Sequence, residues 1–195
     1  MYGLMMDTPL LIWSLIEHAK QNHPETQIVT RGTEGEMRRY TYSDLHGRSM
    51  QCANALRSLG LQQSDRIGTL AWNTDRHLEL YFGVSGSGLV LHTLNPRLHP
   101  EQIAWIANHA EDQVLCFDLT FLPLVEAVAP HCKTIKHYIL LTDAAHMPAN
   151  TKLPNLLCYE TLIQAASSNF EWPVLDERTA CTLCYTSGTA GNPKG

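Results

Sequence analysis

The positions of apolar residues predict a series of helices and strands along the chain. In the N-terminal segment, one apolar face recurs at helical spacing, at residues 11, 12, 15, 16 and 19. Asp7 and Thr8 can cap a helix there, with Pro9 as its first residue. A second helix is predicted from Ser43, a favourable N-cap residue, to Gly60, where a glycine ends the apolar face.

Beyond this point, short apolar runs alternate with helical patterns. Strands are predicted over residues 67–72, 89–94, 114–117, 137–141 and 179–185. Residues 142–156 are rich in turn-forming residues and are predicted as a surface loop. Strands separated by helices are typical of βαβ units, and such strands are apolar because both faces of a parallel sheet are covered. The sequence therefore predicts an α/β fold, with a largely parallel sheet flanked by helices.

Composition and charge exclude some classes of partner. The chain has 195 residues, of which 44% are hydrophobic and 17% charged, and its formal net charge is −5. The negative charge argues against a nucleic-acid partner, which would favour a basic stripe. The apolar run at residues 10–16 is too short to span a bilayer, so no transmembrane segment is predicted. No Lys or Arg precedes this run and no small-residue cleavage site follows it, so it is predicted as a core helix.

Cysteine and histidine residues give no sign of a metal site. Most of the six cysteines lie in apolar runs, and they are interpreted as buried thiols in a reducing, cytoplasmic environment. This interpretation includes Cys181 and Cys184, whose C-x-x-C spacing falls inside a predicted strand. The ten histidines show no metal-ligand spacing. Gly86-Ser87-Gly88 is too short for a dinucleotide-binding fingerprint and is predicted to be a helix end and turn.

The last ten residues carry the strongest chemical signal. They contain three glycines, two threonines, a serine and a lysine, directly after a predicted strand. Glycines let backbone N–H groups converge into an anion-binding nest, hydroxyls add donors, and a lysine adds a mobile positive charge. The segment is not a Walker A loop, because Pro193 stands where that motif needs Gly and Gly195 where it needs Ser or Thr. Composition alone allows either a polyphosphate cradle or an ordinary turn with a solvated lysine.

The order of these residues favours the cradle. From Tyr185 the chain reads Tyr-Thr-Ser-Gly-Thr-Ala-Gly-Asn-Pro-Lys-Gly, which closely resembles the phosphate-loop signature of the adenylate-forming superfamily. Ala190 departs from that signature, since the family usually carries Thr or Ser there. The likeness covers most of the chain from about Thr41, and it looks most like the medium- and long-chain fatty-acid–CoA ligases. Further segments that resemble motifs of the family are residues 41–45, 65–67, 94–98, 101–103 and 112–118.

The resemblance implies an AMP-forming acid–thiol ligase that uses ATP, Mg²⁺ and coenzyme A. A carboxylic acid, with a fatty acid as the expected class, would be joined first to AMP and then to coenzyme A. Residues 1–195 would be the N-terminal part of the AMP-binding domain, ending at the phosphate loop, with the rest of the large domain and the C-terminal lid domain absent. Catalytic residues and the Mg²⁺ ligand are expected after Gly195. The residues implied to bind the phosphates of ATP are Thr186, Ser187, Gly188, Thr189, Ala190, Gly191 and Lys194.

Two other functions stay open at this point. The chain could be a truncated, catalytically inactive remnant, or part of an adenylation domain that loads a carrier protein instead of coenzyme A. The sequence predicts neither the identity of the acid nor the oligomeric state, and peripheral contact with a membrane stays open as well.

Overall fold

A largely parallel sheet forms the centre of the fold in the computed structural model, which describes residues 3–4, 6–186 and 193–195. Within these residues, the strands of this sheet are β3 (Arg66–Leu70), β4 (Val90–Thr93), β5 (Asp112–Phe117), β6 (His137–Leu140), β7 (Leu156–Cys158) and β8 (Thr182–Cys184). These six strands run parallel in the order β7-β6-β5-β3-β4-β8. The α/β fold class predicted from the sequence is therefore confirmed.

Helices cover both faces of this sheet. In the described residues, they are α1 (Ile12–Asn22), α2 (Tyr42–Ser58), α3 (Asp75–Gly86), α4 (Pro100–His109), α5 (Leu122–Val128) and α6 (Tyr159–Gln164). One face packs against α2, α3 and α6, and the other packs against α4 and α5, so that each face has its own hydrophobic core. Side chains of β3 and β5 point into both cores, which is why these strands are continuous apolar runs in the sequence.

The chain reverses its direction across the sheet at β3. From β3 it passes through α3 to β4 on one side, and from β4 it passes through α4 to β5 on the other side of β3. In α/β sheets of this type, ligands bind outside the carboxyl ends of the strands at the point of reversal. The topology therefore marks the carboxyl edge near β3, β4 and β5 as the place to look for a binding site.

A two-stranded hairpin that was not predicted precedes α2. Strand β1 (Gln27–Arg31) pairs antiparallel with β2 (Met37–Thr41), and Gly35 adopts a φ of +96° in the turn between them. The strands are only half buried, and their residues are mainly polar. The apolar pattern that reveals the buried strands is therefore too weak to reveal this hairpin.

Several predicted boundaries were wrong at helix starts. Helix α1 begins at Ile12, and its N-cap residue, Leu11, makes no side-chain capping bond, so the residues at 7–9 do not cap it. Helix α2 is capped by Thr41, whose hydroxyl accepts from the backbone N–H of Asp44 at 3.2 Å. The carboxylate of Asp44 accepts in return from the backbone N–H of Thr41 at 2.9 Å. Ser43 therefore lies inside the helix and is not its cap.

Other differences concern the second half of the chain. After β5, the chain forms a 3₁₀ turn, Leu119–Phe121, and then α5, whose second residue is a proline. The predicted loop at 142–156 contains a 3₁₀ turn, Ala144–His146, and its last residue begins β7. The predicted helix end at Gly86-Ser87-Gly88 is confirmed, because α3 ends there and Gly88 has a φ of +86°.

The final strand is shorter and more exposed than predicted. Strand β8 spans three residues and pairs with β4 alone among the described strands, so one of its edges is open. Cys184 is exposed and Cys181 is half-buried. The interpretation of these two cysteines as buried thiols was therefore wrong, since it assumed a strand covered on both sides. In the described residues, no helix is both long and apolar enough to cross a membrane.

Candidate functional site

The carboxyl ends of β3, β4, β5 and β8 meet at one edge of the sheet. Polar residues follow each of these strands closely, at Asn73, Asn95, Asp118 and Thr186. The predicted phosphate loop starts directly after β8, so it begins at the same edge as the reversal of the chain at β3.

Thr186 and Lys194 close the base of the predicted phosphate loop. The backbone N–H of Thr186 donates to the carbonyl of Lys194 at 2.8 Å, and the N–H of Lys194 donates back at 3.4 Å. The Thr186 hydroxyl also donates to the Lys194 carbonyl at 3.3 Å. Both residues are exposed, whereas Pro193 beside them is buried. The backbone of these two residues is thus held together at the carboxyl edge, and both residues are open to solvent there.

The other predicted phosphate-binding residues lie outside the described residues. Their assignment to ATP stays a prediction from the sequence, as does that of Thr186 and Lys194. The residues concerned are Ser187, Gly188, Thr189, Ala190 and Gly191.

Tyr185 anchors the start of this loop. Its hydroxyl lies 2.6 Å from Nδ1 of His109, the last residue of α4. The rings of His109 and Trp105 stack with their centroids 4.7 Å apart. Beside Tyr185, a cavity of about 210 Å³ opens between β4, α4 and β8; its lining residues are Thr93, Leu94, Asn95, Leu98, Ile106, Cys184 and Tyr185.

Asp118, directly after β5, is a buried carboxyl group at this edge. Its Oδ2 accepts from the backbone N–H of Trp72 at 2.6 Å, and its side chain is almost completely buried. Burial raises the pKa of Asp118 to about 6, although the bond from Trp72 and the charge of Arg76 oppose the rise. This carboxyl group therefore titrates well above the usual range for aspartate.

Charged residues from the hairpin and three helices form a largely buried ion cluster near the same edge. Glu160 is shared within it, because its Oε1 accepts from Arg48 Nη2 at 2.9 Å and from Arg76 Nε at 3.0 Å. Burial alone would raise the pKa of Glu160, but these two arginines hold it below its usual value. The members of the ion cluster are Glu34, Arg38, Arg48, Asp75, Arg76, Glu79 and Glu160.

Glu34 connects this ion cluster to the hairpin. Its Oε1 accepts from the Thr142 hydroxyl at 2.6 Å and from Arg76 Nη1 at 3.0 Å. Burial opposes ionisation, yet these donors lower the pKa of Glu34 below its usual value. The arginines are thus paired within the protein, and the ion cluster is an anchor for the hairpin and not a free anion-binding surface.

Sequence reasoning missed the ion cluster and a second buried pair, His92 with Asp112. His92 Nδ1 lies 2.8 Å from Asp112 Oδ1, and both side chains are fully buried. One signal was present, since His92 interrupts the apolar run of β4. Within the described part of the chain, no group of three or more His, Cys, Asp or Glu residues could hold a metal ion.

Comparison with known proteins identifies the family. A family model described as an AMP-binding enzyme matches residues 16–195, which is most of the chain. The chain belongs to the AMP-binding enzyme family.

Relatives of this chain are acyl-CoA ligases. It is 50% identical to the 3-methylmercaptopropionyl-CoA ligase of Ruegeria lacuscaerulensis over 195 residues, which is all of this chain and 36% of that protein. It is 45% identical to the medium-chain-fatty-acid–CoA ligase of Ectopseudomonas oleovorans over the same length, again 36% of that protein. The chain therefore spans about a third of the length of the curated relatives that it matches.

A solved structure shows the same fold. The crystal structure of the anthranilate CoA ligase AuaEII in complex with anthranoyl-AMP aligns with a TM-score of 0.83 and 20% sequence identity. The alignment covers 96% of this chain and 34% of the ligase. The likeness shows the same α/β fold, with helices on both faces of the sheet.

Proposed function

We propose that residues 1–195 are the N-terminal part of an acyl-CoA synthetase, and that they supply the loop that binds the phosphates of ATP. The observation that carries this proposal is the backbone bridge between Thr186 and Lys194, at the carboxyl edge where the chain reverses across the sheet. Membership of the AMP-binding family and the likeness to acyl-CoA ligases support it.

The proposed reaction has two steps. In the first, a carboxylate oxygen attacks the α-phosphorus of ATP, the bond to the bridging oxygen breaks, and pyrophosphate leaves with that oxygen's electron pair. In the second, the thiolate of coenzyme A attacks the carbonyl carbon of the acyl-adenylate, AMP leaves, and the thiol proton passes to solvent or a base. The leaving groups of the two steps, pyrophosphate and AMP, are both anions. Catalysis therefore depends on positioning and on charge neutralisation.

The loop contributes to the first step in this proposal. The Lys194 ammonium would neutralise charge that develops on the departing pyrophosphate, and the Thr186 hydroxyl would donate a hydrogen bond to it. Backbone N–H groups between them would complete the cradle. The remaining members of the proposed cradle are Ser187, Gly188, Thr189, Ala190 and Gly191.

Mg²⁺ is proposed to accompany ATP, neutralising charge on its phosphate oxygens. We assign it no protein ligand in the described residues, in which no group of three or more His, Cys, Asp or Glu residues could hold a metal ion. Coenzyme A is the proposed acceptor of the acyl group.

The proposed substrate is a small carboxylic acid, with a fatty acid as the first class to test. The relatives in Ruegeria and Ectopseudomonas are named for 3-methylmercaptopropionyl-CoA and medium-chain fatty acids. Because the chain spans about a third of these proteins, we expect most of the acyl pocket to lie in the remaining part.

A fusion protein tests the proposal directly. Residues 1–195 would replace the aligned first part of the Ruegeria lacuscaerulensis ligase, with the rest of that ligase retained; this protein is called the fusion below. We expect the fusion to catalyse ATP–pyrophosphate exchange that depends on the acid, and to release AMP when coenzyme A is added. The unmodified ligase, assayed beside it, is the control for the retained part.

The outcomes separate the alternatives. A folded fusion that supports neither reaction would favour an inactive remnant. Exchange without any thioester formation on coenzyme A, but with transfer to a carrier-protein thiol, would favour the carrier-loading alternative. The acid profile of the fusion should follow that of the retained part, and a shift toward longer acids would place the determinant of chain length within residues 1–195.

A further inference from the structure

His92 and Asp112 contact each other across the strand that lies between them. His92 is on β4 and Asp112 is the first residue of β5, whereas β3 runs between these two strands. The residue of β3 opposite His92 in the register is Gly68. His92 Nδ1 nevertheless reaches both carboxylate oxygens of Asp112, at 2.8 and 2.9 Å.

Gly68 makes this contact possible. A Cβ atom placed on Gly68 would lie 2.9 Å from Asp112 Oδ2 and 3.1 Å from Leu115 Cδ1, which is closer than ordinary packing allows. The glycine is therefore required for space, since it leaves the passage through which the imidazole reaches the carboxylate.

The pair fixes the orientation of the imidazole ring. The bond joins Nδ1 of His92 to a carboxyl group that is itself fully buried, so it fixes the direction in which the ring faces. Nε2 of His92 is buried and has no hydrogen-bond partner among the described residues. The ring contacts the ring of Tyr185, with the two centroids 5.2 Å apart. His92 is thus held by Asp112 on one side and packs against Tyr185 on another.

Tyr185 carries this contact to the base of the loop. A Cβ atom on Gly195 would lie 2.6 Å from Tyr185 Cε2, so the backbone of Gly195 packs directly against the tyrosine ring. The neighbours of these two residues, Thr186 and Lys194, form the backbone bridge. The ring of Tyr185 therefore lies between the His92–Asp112 pair and the two backbone segments that form the base of the loop.

We propose that His92 is a positioning residue for the candidate phosphate loop. Asp112 holds the imidazole across Gly68, the imidazole sets the ring of Tyr185, and that ring sets the bridge between Thr186 and Lys194. The effect of His92 on catalysis rests on the proposed function, whereas its role in holding the Thr186–Lys194 bridge does not. His92 is fully buried and is not itself proposed to touch a substrate.

The first test measures the bridge in the 195-residue chain. His92→Asn keeps an N–H donor near the position of Nδ1 but removes the ring that faces Tyr185. In ¹⁵N NMR, we expect hydrogen exchange at the amides of Thr186 and Lys194 to accelerate by about threefold or more. The amide of Leu94, bonded to the Thr69 carbonyl at 2.9 Å, should keep its protection. Unchanged exchange at the bridge in a folded variant would overturn the proposal.

The matched control is His77→Gln. His77 is also a largely buried histidine beside β3, bonded to Thr69 and to the backbone of Trp72, but it makes no ring contact with Tyr185. It should leave the Thr186 and Lys194 amides unchanged. Equal acceleration in both variants would mean that the bridge responds to any loss of a buried histidine, which would overturn the specific role of His92.

A double-mutant cycle tests the route through Tyr185. Tyr185→Leu alone should accelerate exchange at the bridge, and combining it with His92→Asn should add little, because both changes break one contact. Additive effects would overturn the route. If His92→Asn does not fold, His92→Gln, which also keeps an N–H donor, takes its place in every measurement.

The fusion supplies the catalytic readout. His92→Asn should raise the KM for ATP by about threefold or more, while the KM for the acid and the rate of thioester formation from supplied acyl-adenylate stay unchanged. An equal rise in both KM values would overturn a role at the phosphate loop. An inactive parent fusion would instead defeat the proposed function, and amide exchange would still decide the role of His92.

Discussion

The Nε atom of Arg48 lies 2.6 Å from Oε1 of Glu79, a carboxylate that is completely buried. Tyr159 also donates its hydroxyl to Glu79, at 2.9 Å. Burial raises the pKa of Glu79 even with these partners in place. The pair joins α2 to α3 and connects the core to the ion cluster that anchors the hairpin.

Replacing Arg48 with Leu should therefore destabilise the fold strongly. The change leaves the Glu79 charge buried without its cation, which typically costs about 3–5 kcal/mol of unfolding free energy. Urea unfolding at neutral pH measures the loss. Arg178→Leu is the control, because the side chain of Arg178 is exposed and its loss should cost less than about 0.5 kcal/mol. Equal small losses in the two variants would contradict the importance of the buried pair.

Two helical glycines should respond to alanine in opposite directions. Gly83 of α3 has no room for a side chain, since a Cβ there would lie 2.8 Å from Cys52 Cβ and 2.9 Å from the Ser49 carbonyl. Gly47 of α2 has open space around it. We expect Gly83→Ala to destabilise by about 1–3 kcal/mol and Gly47→Ala to stabilise by up to about 1 kcal/mol. Thermal and urea unfolding compare the two, and a stabilising Gly83→Ala would show that α2 and α3 separate easily.

Asp118 should make stability fall as the pH rises. Its folded pKa of about 6 exceeds the ordinary value of 3.8, so the folded state binds the proton more tightly between these values. Its stabilising contribution is present below about pH 4 and is lost as the pH rises through about 6. Asp118→Asn keeps an acceptor for the Trp72 N–H and removes the charge. Relative to the parent, the variant should gain up to about 3 kcal/mol between pH 4 and pH 7.5.

The difference in unfolding free energy between Asp118→Asn and the parent isolates the contribution of Asp118. Glu34 and Glu160 have lowered pKa values, so their contributions fall as the pH falls, but they act equally in both proteins. Urea unfolding of parent and variant at several pH values gives the difference directly. A difference between Asp118→Asn and the parent that does not change with pH would refute the raised pKa of Asp118.

Lys194→Ala in the fusion should separate the two half-reactions. Pyrophosphate is present only while the adenylate forms, so ATP–pyrophosphate exchange should slow by roughly tenfold or more. Thioester formation from supplied acyl-adenylate should change by less than about twofold. The control is Lys136→Ala, an exposed lysine just before β6 and hence at the opposite edge of the sheet. Equal loss in both half-reactions would assign Lys194 another role.

Ala190→Thr in the fusion should preserve or tighten the binding of ATP. It supplies a hydroxyl at the position where the phosphate-loop signature usually carries one. A neutral hydrogen bond contributes about 0.5–1.5 kcal/mol, so the gain should not exceed roughly tenfold. Isothermal titration with ATP measures it, with Ala145→Thr, at an exposed position outside the loop, as the control. A large loss of affinity would mean that the loop packs around alanine.

Local patterns in the sequence predicted the parts of the fold that depend on local physics. Continuous apolar runs predicted β3 to β6, and a run of loop residues from Thr186 to Lys194 predicted the candidate site. The hairpin was missed because no residue of β1 or β2 is fully buried and both strands are mainly polar. Helix α1 was started too early, because favourable capping residues precede it without forming a cap.

The buried polar contacts could not be predicted, because they depend on the order of strands in space. His92 and Asp112 meet only because β4 and β5 lie on opposite sides of β3 and Gly68 leaves a gap between them. Glu34 and Glu160 meet through Arg76, although they are distant in the sequence. A lone histidine in an apolar strand indicates that a partner exists, but the sequence does not indicate which residue it is.

The pairing of β8 with β4 has a consequence for the order of folding. The strands β3, β4 and β5 follow one another closely along the chain, whereas Leu91 of β4 pairs with Thr182 of β8, roughly 90 residues later. Closing so long a loop costs entropy that only an already assembled sheet edge can offset, so we expect β8 to join last. The bridge that frames the candidate phosphate loop forms after β8, which makes this loop a late product of folding. Under the proposed function, a newly made chain would be unable to engage ATP until its core is complete.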